Sequence, residues 1–483
     1  MRHPTVIDLF CGAGGFSLGF QAAGCRIVAG VDADETAGQT YRTNFAGLQP
    51  LEPPAVLAGD EGNLEEVDLS LLAREGDLDI LIGGPPCQGF SRVGRAKLND
   101  LTDEGYAGDA RNTLYQRFLD AARFWRPRAV VMENVPGMLS VDGRSVADEA
   151  AADLIGCGYR VGYAVLNASW YGVPQFRERL FFVGFRQDLE LNPSLPAATH
   201  RSELPSGYFR ASPELFLPFP GIHHEISIDV AGAAGPATSV AEAIGDLPPI
   251  TEHLTGGTSA KGDFRKRRRP GRAPDSGFAQ RMQRWPGFAR PGMPDDHVVR
   301  RTPRDYETFA RMQPGDRYPE AYAIAQQRFA TAVAELGAAA PAHGSAEYAE
   351  LQRRFVPPYP VDKFRDKWRK LIPGQPSWTV PAHLSKDGYS HIHYDSAQAR
   401  SISVREAARL QSFPDAFRFT GNMGDCFRQI GNAVPPLLSW AIAHHVVTRL
   451  ELFARAPSLS GAACAADEEA SETGEFRAET ESL

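Results

Sequence analysis

The 483-residue chain is poor in cysteine, in long apolar runs and in net positive charge. Its six cysteines, at 11, 25, 87, 157, 426 and 464, form no CxxC pair and no His/Cys cluster. That argues against a disulfide framework and against a metal site, and makes a reduced, cytoplasmic compartment the expectation. The apolar stretches are strand-sized, so no membrane span is expected. MRHPTVIDLF runs directly into a strand-like pattern without an apolar leader, so no secretory signal is expected. A net charge of −8 argues at first against a nucleic-acid partner. Yet Asp467–Leu483 alone carries seven acids and one arginine, net −6, which leaves −2 on the other 466 residues. A near-neutral protein can still hold a local basic cleft. What remains is ordinary for a soluble globular protein, 43% apolar and 23% charged. The length suggests two or three domains at roughly 100–200 residues each.

Residues 5–185 alternate short apolar runs with longer amphipathic ones, the pattern of an α/β fold with a mostly parallel sheet. Strands are expected at Thr5–Phe10, Arg26–Val31, Leu78–Ile82 and Ala129–Met132, with Tyr159–Leu166 and Arg179–Phe185 as an antiparallel edge pair. Helices are expected at Phe16–Ala23, closed by Gly24, and at Thr113–Trp125, stopped before Pro127. After about residue 190 the alternation disappears. Residues 255–296 are rich in Gly, Pro and Arg and read as loop, while 304–312, 320–336 and 345–355 read as helices. Ser403 with Glu406 predicts a capped helix start, and Pro435–Leu452 a long helix opened by prolines. The acidic, alanine-rich segment 456–483 reads as a disordered tail.

Four segments carry chemistry. DLFCGAGGF (8–16) is a strand, a glycine turn at Gly12, Gly14 and Gly15, and a helix start, a cofactor turn of Rossmann type. Asp32 ends the next strand, placed to accept ribose hydroxyls. The turn departs from strict GxGxxG, so a nucleotide other than NAD comes into consideration. GGPPCQGFS (83–91) sets Cys87 on a proline-stiffened turn at a strand's C-terminal edge, a place suited to a nucleophile. The other five cysteines read as small buried apolar residues. MENVPG (132–137) ends a strand on Glu133, and QFRERLFFVGF (175–185) alternates so that Gln175, Arg177 and Arg179 share one face.

DLFCGAGGF, PPCQGFS, ENV, QxRxR, SVREAARLQSFPD (403–415) and QIGNAVPP (429–436), in that order, resemble the bacterial-type DNA (cytosine-5) methyltransferases. The motifs cover about 1–190 and 395–455, roughly half of the chain. The resemblance implies a Rossmann-like, S-adenosylmethionine-dependent methyltransferase domain built from those two stretches. A smaller, irregular target-recognition domain at 191–394 accompanies it. It gives Cys87 the role of nucleophile, Glu133 that of the acid holding a flipped cytosine, and Arg177 and Arg179 places in the catalytic pocket. S-adenosyl-L-methionine would be held by Phe10, Gly12, Gly14, Gly15, Phe16, Asp32, Asp60, Pro86, Leu114, Asn432 and Ala433. Ala33 departs from the family, which often places a bulky residue after the ribose acid. The implied partners are double-stranded DNA and a cognate restriction endonuclease or other defence proteins, with the enzyme a monomer on DNA.

Carbon 5 of cytosine is a poor nucleophile, and thiolate addition at carbon 6 makes it reactive. This requires a deprotonated cysteine, which nearby arginines favour, and a proton at ring nitrogen 3, the role of Glu133. The target must leave the helix stack, at a cost of a few kcal/mol. Gln88, Ser91, Arg111, Gln175, Arg267, Arg268 and Arg269 are the expected DNA contacts, the last three within the basic run FRKRRRPGR (264–272). Ser91–Asp109 is the expected lid. Two alternatives are a tRNA cytosine-5 methyltransferase and a catalytically silent DNA-binding regulator. The roughly 200-residue insert argues against the first, and the intact Cys87, Glu133 and Arg177 against the second.

Overall fold

The computed structural model describes residues 3–47, 53–86, 111–139, 145–205, 226–255, 276–288, 296–365, 367–386 and 388–450. The central sheet has seven strands: β1 (Thr5–Leu9), β2 (Arg26–Asp32), β3 (Ala55–Ala58), β4 (Ile80–Gly83), β5 (Ala129–Asn134), β6 (Tyr159–Asn167) and β7 (Glu178–Arg186). Their spatial order is β3-β2-β1-β4-β5-β7-β6. The pairs from β3 to β5 are parallel. β7 lies antiparallel between β5 and β6. The expected antiparallel pair is therefore present, and its β7 member is interior.

Helices α1 (Gly15–Ala22), α2 (Glu35–Phe45), α3 (Arg111–Trp125) and α4 (Val146–Gly156) connect these strands. Further along lie α5 (Val240–Ile244), α6 (Gly277–Gln283), α7 (Tyr306–Arg311), α8 (Tyr318–Leu336) and α9 (Ala346–Arg353). The chain closes with α10 (Val404–Leu410), α11 (Met423–Asn432) and α12 (Pro436–Arg449). Among the described residues no helix is long and apolar enough to cross a membrane.

Period-two alternation divides the sheet between two cores. Val6, Ile80, Ile82, Val131 and Phe181 face α1, α10 and α12. Ile7, Leu81, Val130, Met132 and Phe182 face α3 and α4. Fully burying each such side chain is worth about 1.5–3 kcal/mol, so both faces must be covered. On the first face α12 returns from the far end of the chain to lie on α1. The Ser439 hydroxyl donates to the Phe16 carbonyl at 2.6 Å. A Cβ at Gly19 would sit 2.3 Å from the Ser439 oxygen, so this close crossing requires glycine.

The described residues after 190 pack more regularly than their composition suggests. Leu195, Val240, Ala243, Met282 and Trp285 belong to the same core as α1 and α12. α6 falls in the stretch read as loop. Ser276 caps it, and Phe278, Ala279 and Met282 are buried on one side. A separate core gathers Phe309, Met312, Tyr318, Trp368 and Ile392, next to a small cluster of Ala325, Phe329 and Val356 under α8.

Three fully buried arginines hold the sheet domain's last helices, and one of them, Arg409, ties them to α5. Arg409 holds Asp246 at 3.0 Å and also pairs with Asp415. Arg400 holds Glu406 at 2.7 Å. Arg405 donates to the carbonyls of Pro414 at 3.0 Å and Phe417 at 2.8 Å. The capping box of Ser403 and Glu406 is present as expected.

Candidate active site

β1 ends at Leu9, and the glycine turn follows. Phe10 has a φ of 61° and Gly12 one of 53°. Left-handed backbone is unusual at a phenylalanine and marks a held conformation. Gly14, at φ 94°, starts α1. A Cβ there would meet the Phe45 ring at 2.6 Å, and one at Gly15 would meet the Val434 carbonyl at 2.4 Å. Around Gly12 a Cβ would find open space within 4 Å. The turn is thus tight against the protein on one side and open on the other.

The open side is a cavity of about 420 Å³. Phe10, Cys11, Gly12, Ala13 and Phe16 line it from the turn, and Asp32, Ala33 and Asp34 from the end of β2. The Asp32 carboxylate accepts Gly12 N–H and Asp34 N–H, both at 2.8 Å, one on each oxygen. Burial raises its pKa, and the two backbone donors act against that rise. Deeper in β1, burial pushes the Asp8 carboxyl up to about 7, against the hydrogen bond it accepts from Ser17 at 2.6 Å. Burial also raises the Cys11 thiol well above its ordinary value. Cys11, Cys25 and Cys426 are buried and Cys157 half-buried. Cys464 lies outside the described residues.

The other end of the cavity is lined by Gly84, Pro85 and Pro86 after β4, by Glu133 on β5, and by Arg179 on β7. β5 and β7 pair antiparallel, with Asn134 opposite Leu180, which sets Glu133 beside Arg179. The Arg179 Nε lies 2.8 Å from the Glu133 carboxylate, and both side chains are mostly buried. Asn134 donates to the Pro85 carbonyl at 3.3 Å and so supports the proline turn from below. Leu114 of α3, Asn432 at the end of α11, and Ala433 and Val434 just after it complete the wall.

Several expected residues lie elsewhere. Asp60 sits in a short 3-10 turn, Gly59–Gly62, and the cavity wall there is Gly62, Asn63 and Leu64. Gln175 is fully buried. Its amide donates to the Leu410 carbonyl at 3.1 Å and its oxygen accepts Val380 N–H at 2.8 Å. Arg177, also buried, donates to the carbonyls of Val380 at 3.2 Å and Gly431 at 3.0 Å. Of the three residues expected on one face, only Arg179 lines the cavity. Gln175 and Arg177 instead bind the returning segments, because Gln175–Phe176 pairs with Ser377–Trp378.

Arg428 is a cavity residue that the sequence reading did not single out. It bridges to Asp34 at 3.1 Å and Asp425 at 3.2 Å. Its position next to QIGNAVPP was the available signal. Cys87, Gln88, Ser91, the lid segment Ser91–Asp109 and Arg267, Arg268 and Arg269 lie outside the described residues, as does the segment 456–483. Arg111 begins α3, and its side chain lies outside them too.

The profile of the C-5 cytosine-specific DNA methylases matches residues 4–448. A protein of Oceanobacillus iheyensis named as a type II methyltransferase, M.OihORF3336P, is 37% identical over 92% of this chain and 95% of its own length. The type II methyltransferase M.AgeI of Thalassovita gelatinovora is 32% identical over 91% of this chain and 98% of its own. A solved structure from E. coli, described as a DNA modification methyltransferase encoded within a prophage, superposes with a TM-score of 0.58 at 24% identity. It covers 93% of this chain and 99% of that one, which speaks to the shared fold. The glycine turn, Asp32 at the end of β2, the paired Glu133 and Arg179 and this match across almost the whole described chain make the protein a member of the C-5 cytosine-specific DNA methylase family, a DNA (cytosine-5) methyltransferase.

Proposed function

We propose that the chain methylates carbon 5 of a cytosine flipped out of a specific duplex DNA site, through a transient bond between Cys87 and carbon 6. The observation that supports this reading most is the single cavity, lined at one end by the glycine turn and Asp32 and at the other by Pro86, Glu133 and Arg179. S-adenosyl-L-methionine fits the first end. Gly12 leaves room for close backbone approach, and each Asp32 oxygen carries one backbone donor and keeps lone pairs for ribose hydroxyls. Phe10 and Leu64 would flank the base, Gly12 and Phe16 the methionine portion, and Leu114, Asn432 and Ala433 would close the wall. Bound there, the cofactor supplies an electrophilic methyl group.

At the second end, Cys87 follows Pro86 directly in sequence. Its thiolate forms the S–C6 bond while ring nitrogen 3 takes or shares a proton with Glu133. The electron pair then resides at carbon 5, which accepts the methyl group. Loss of the carbon-5 proton to a base re-forms the double bond and expels the thiolate. Arg179 orients the Glu133 carboxyl and keeps it facing the cavity. Such positioned acid catalysis is worth on the order of 100- to 10,000-fold.

Residues 1–190 and 395–455 would act as the catalytic part and 191–394 as the part that chooses the site, with a restriction endonuclease of matching specificity as the companion activity. Bisulfite sequencing of DNA from cells expressing the chain should show one methylated sequence context, absent for Cys87→Ala. Duplex carrying 5-fluorocytosine in that context should form an adduct stable on a denaturing gel. Methylation by Cys87→Ala, or an active enzyme that forms no adduct, would overturn the covalent route.

A further inference from the structure

We propose that the stretch KFRDKWRK (363–370) is a docking platform for the DNA backbone beside the catalytic cavity. This rests on the reading of the chain as an enzyme acting on duplex DNA, and it assigns part of the surface that meets that duplex. Lys363, Arg365, Lys367 and Arg369 recur at every second position, against two acids, Asp362 and Asp366.

The end of the stretch is pinned by backbone hydrogen bonds. Arg369 N–H donates to the Tyr389 carbonyl, and the Arg369 carbonyl accepts Ile392 N–H. Trp368, at a φ of 56°, and Lys370 are buried, while Lys367 and Arg369 are half-buried. Trp368 is buried and stacked on Tyr389, ring centroids 4.5 Å apart and 9° from parallel. The buried Lys370 ammonium donates to the carbonyls of Phe309 and Met312 and to the Ser396 hydroxyl, each at 2.7 Å. These two inward anchors fix the strip, and the outer cations are ordered by rings. Lys367 lies 5.1 Å from the Phe364 centroid and 5.9 Å from that of Tyr359, and Arg369 lies 5.4 Å from that of Trp378. Lys363 and Arg365 are exposed in the turn just before.

Trp378 ties this strip to the active site. It pairs with Phe176, and Val380, two residues on, accepts from Arg177. Arg179, three residues past Phe176, holds Glu133. On this reading, the backbone of a duplex that delivers a base to Glu133 would run along this junction. Long cationic side chains lose up to about 2 kcal/mol of rotamer freedom when immobilised, and stacking on rings has already restricted Lys367 and Arg369. Phosphates recognised in this way provide affinity and register and no choice of sequence.

The test is the triple variant Lys363→Gln, Arg365→Gln, Lys367→Gln of the full chain, with affinity for fluorescent duplexes measured across a range of KCl. If each residue meets a phosphate, the slope of log affinity against log salt should fall by up to about 2.7, at 0.9 per contact. Affinity should drop by the same factor for duplex with and without the methylated sequence. Arg369→Lys keeps the charge and loses the planar stack, so it should weaken binding with the slope retained. An unchanged slope in the triple variant, or a loss confined to the target-containing duplex, would overturn the platform. The two readings fail separately. If the wild-type chain methylates no duplex, the proposed function falls. If it methylates and the triple variant binds like wild type, only the platform falls.

Discussion

Replacing Asp32 by alanine should separate cofactor binding from the rest of the enzyme. The carboxylate sits at the end of β2 with one backbone donor on each oxygen, Gly12 and Asp34, both at 2.8 Å. Hydrogen bonds to a charged acceptor are worth about 1.5–3 kcal/mol each. Losing one such bond to a ribose hydroxyl should raise the dissociation constant for S-adenosylmethionine roughly 10- to 150-fold. Loosening of the glycine turn adds to that loss, since Gly12 N–H loses its partner. Asparagine is no neutral substitute, because its NH2 group would face one of the two N–H donors. Burial holds the Asp32 pKa above the usual aspartate value, so wild-type cofactor affinity should weaken on acidification at a higher pH than an exposed aspartate would dictate. The variant should lack that step. Titration calorimetry with the cofactor, alongside thermal unfolding of the free protein and DNA binding without cofactor, makes the distinction. A folded Asp32→Ala protein whose cofactor affinity lies within twofold of wild type would refute the assignment of this cavity.

Glu133→Gln keeps the contact with Arg179 and removes the transferable proton, so methyl transfer should slow at least tenfold with DNA affinity retained; equal single-turnover rates would remove Glu133 from the chemistry. Asp8→Asn should raise stability only at higher pH. Burial lifts the folded-state pKa from 3.8 to about 7, so the folded protein holds this proton more tightly than the unfolded chain, and stability from this group is lost as pH rises between about 4 and 7. The melting temperatures of variant and wild type should therefore diverge across that window, and a constant difference from pH 4 to 8 would contradict it. Arg409→Met leaves Asp246 and Asp415 buried without their partner and should destabilise by about 3–5 kcal/mol in urea unfolding; a loss below about 1 kcal/mol would show that the arginine is not what joins α5 to α10.

The strands and the glycine turn were readable because their signals are local. Alternating apolar runs mark β1, β4 and β5, and glycines at 12, 14 and 15 mark positions where backbone angle or space favours glycine. α2, α4 and α11 were passed over although each has a legible start. Asp34, Ser145 and Asn422 all accept backbone N–H groups of the first turn. Asp60 lies off the cavity wall because β3 ends at Ala58 and the chain meets the cavity only at Gly62, the end of a 3-10 turn. The fates of Gln175 and Arg177 could not be read locally. Alternation gives a strand two faces without saying which is covered, and here the cover is Ser377–Val380, some two hundred residues away. Arg428 escaped for the same reason, since its partner Asp34 belongs to the opposite end of the chain.

The crossing of α12 over α1 also sets a clock for the enzyme's birth. Ser439 and Phe16 are 423 residues apart, and a ribosome adding about 5–20 residues per second needs roughly 20–80 s to supply the second after the first. Throughout that time the side of α1 that receives Val434 and α12, at Gly15 and Gly19, has no permanent cover. The cavity also lacks its Arg428–Val434 wall. The nascent chain thus lacks part of its cavity wall until the end of α11 has emerged. A cell that shuts off translation would gain no activity from half-made chains, and newly made methyltransferase would appear only after a fixed lag.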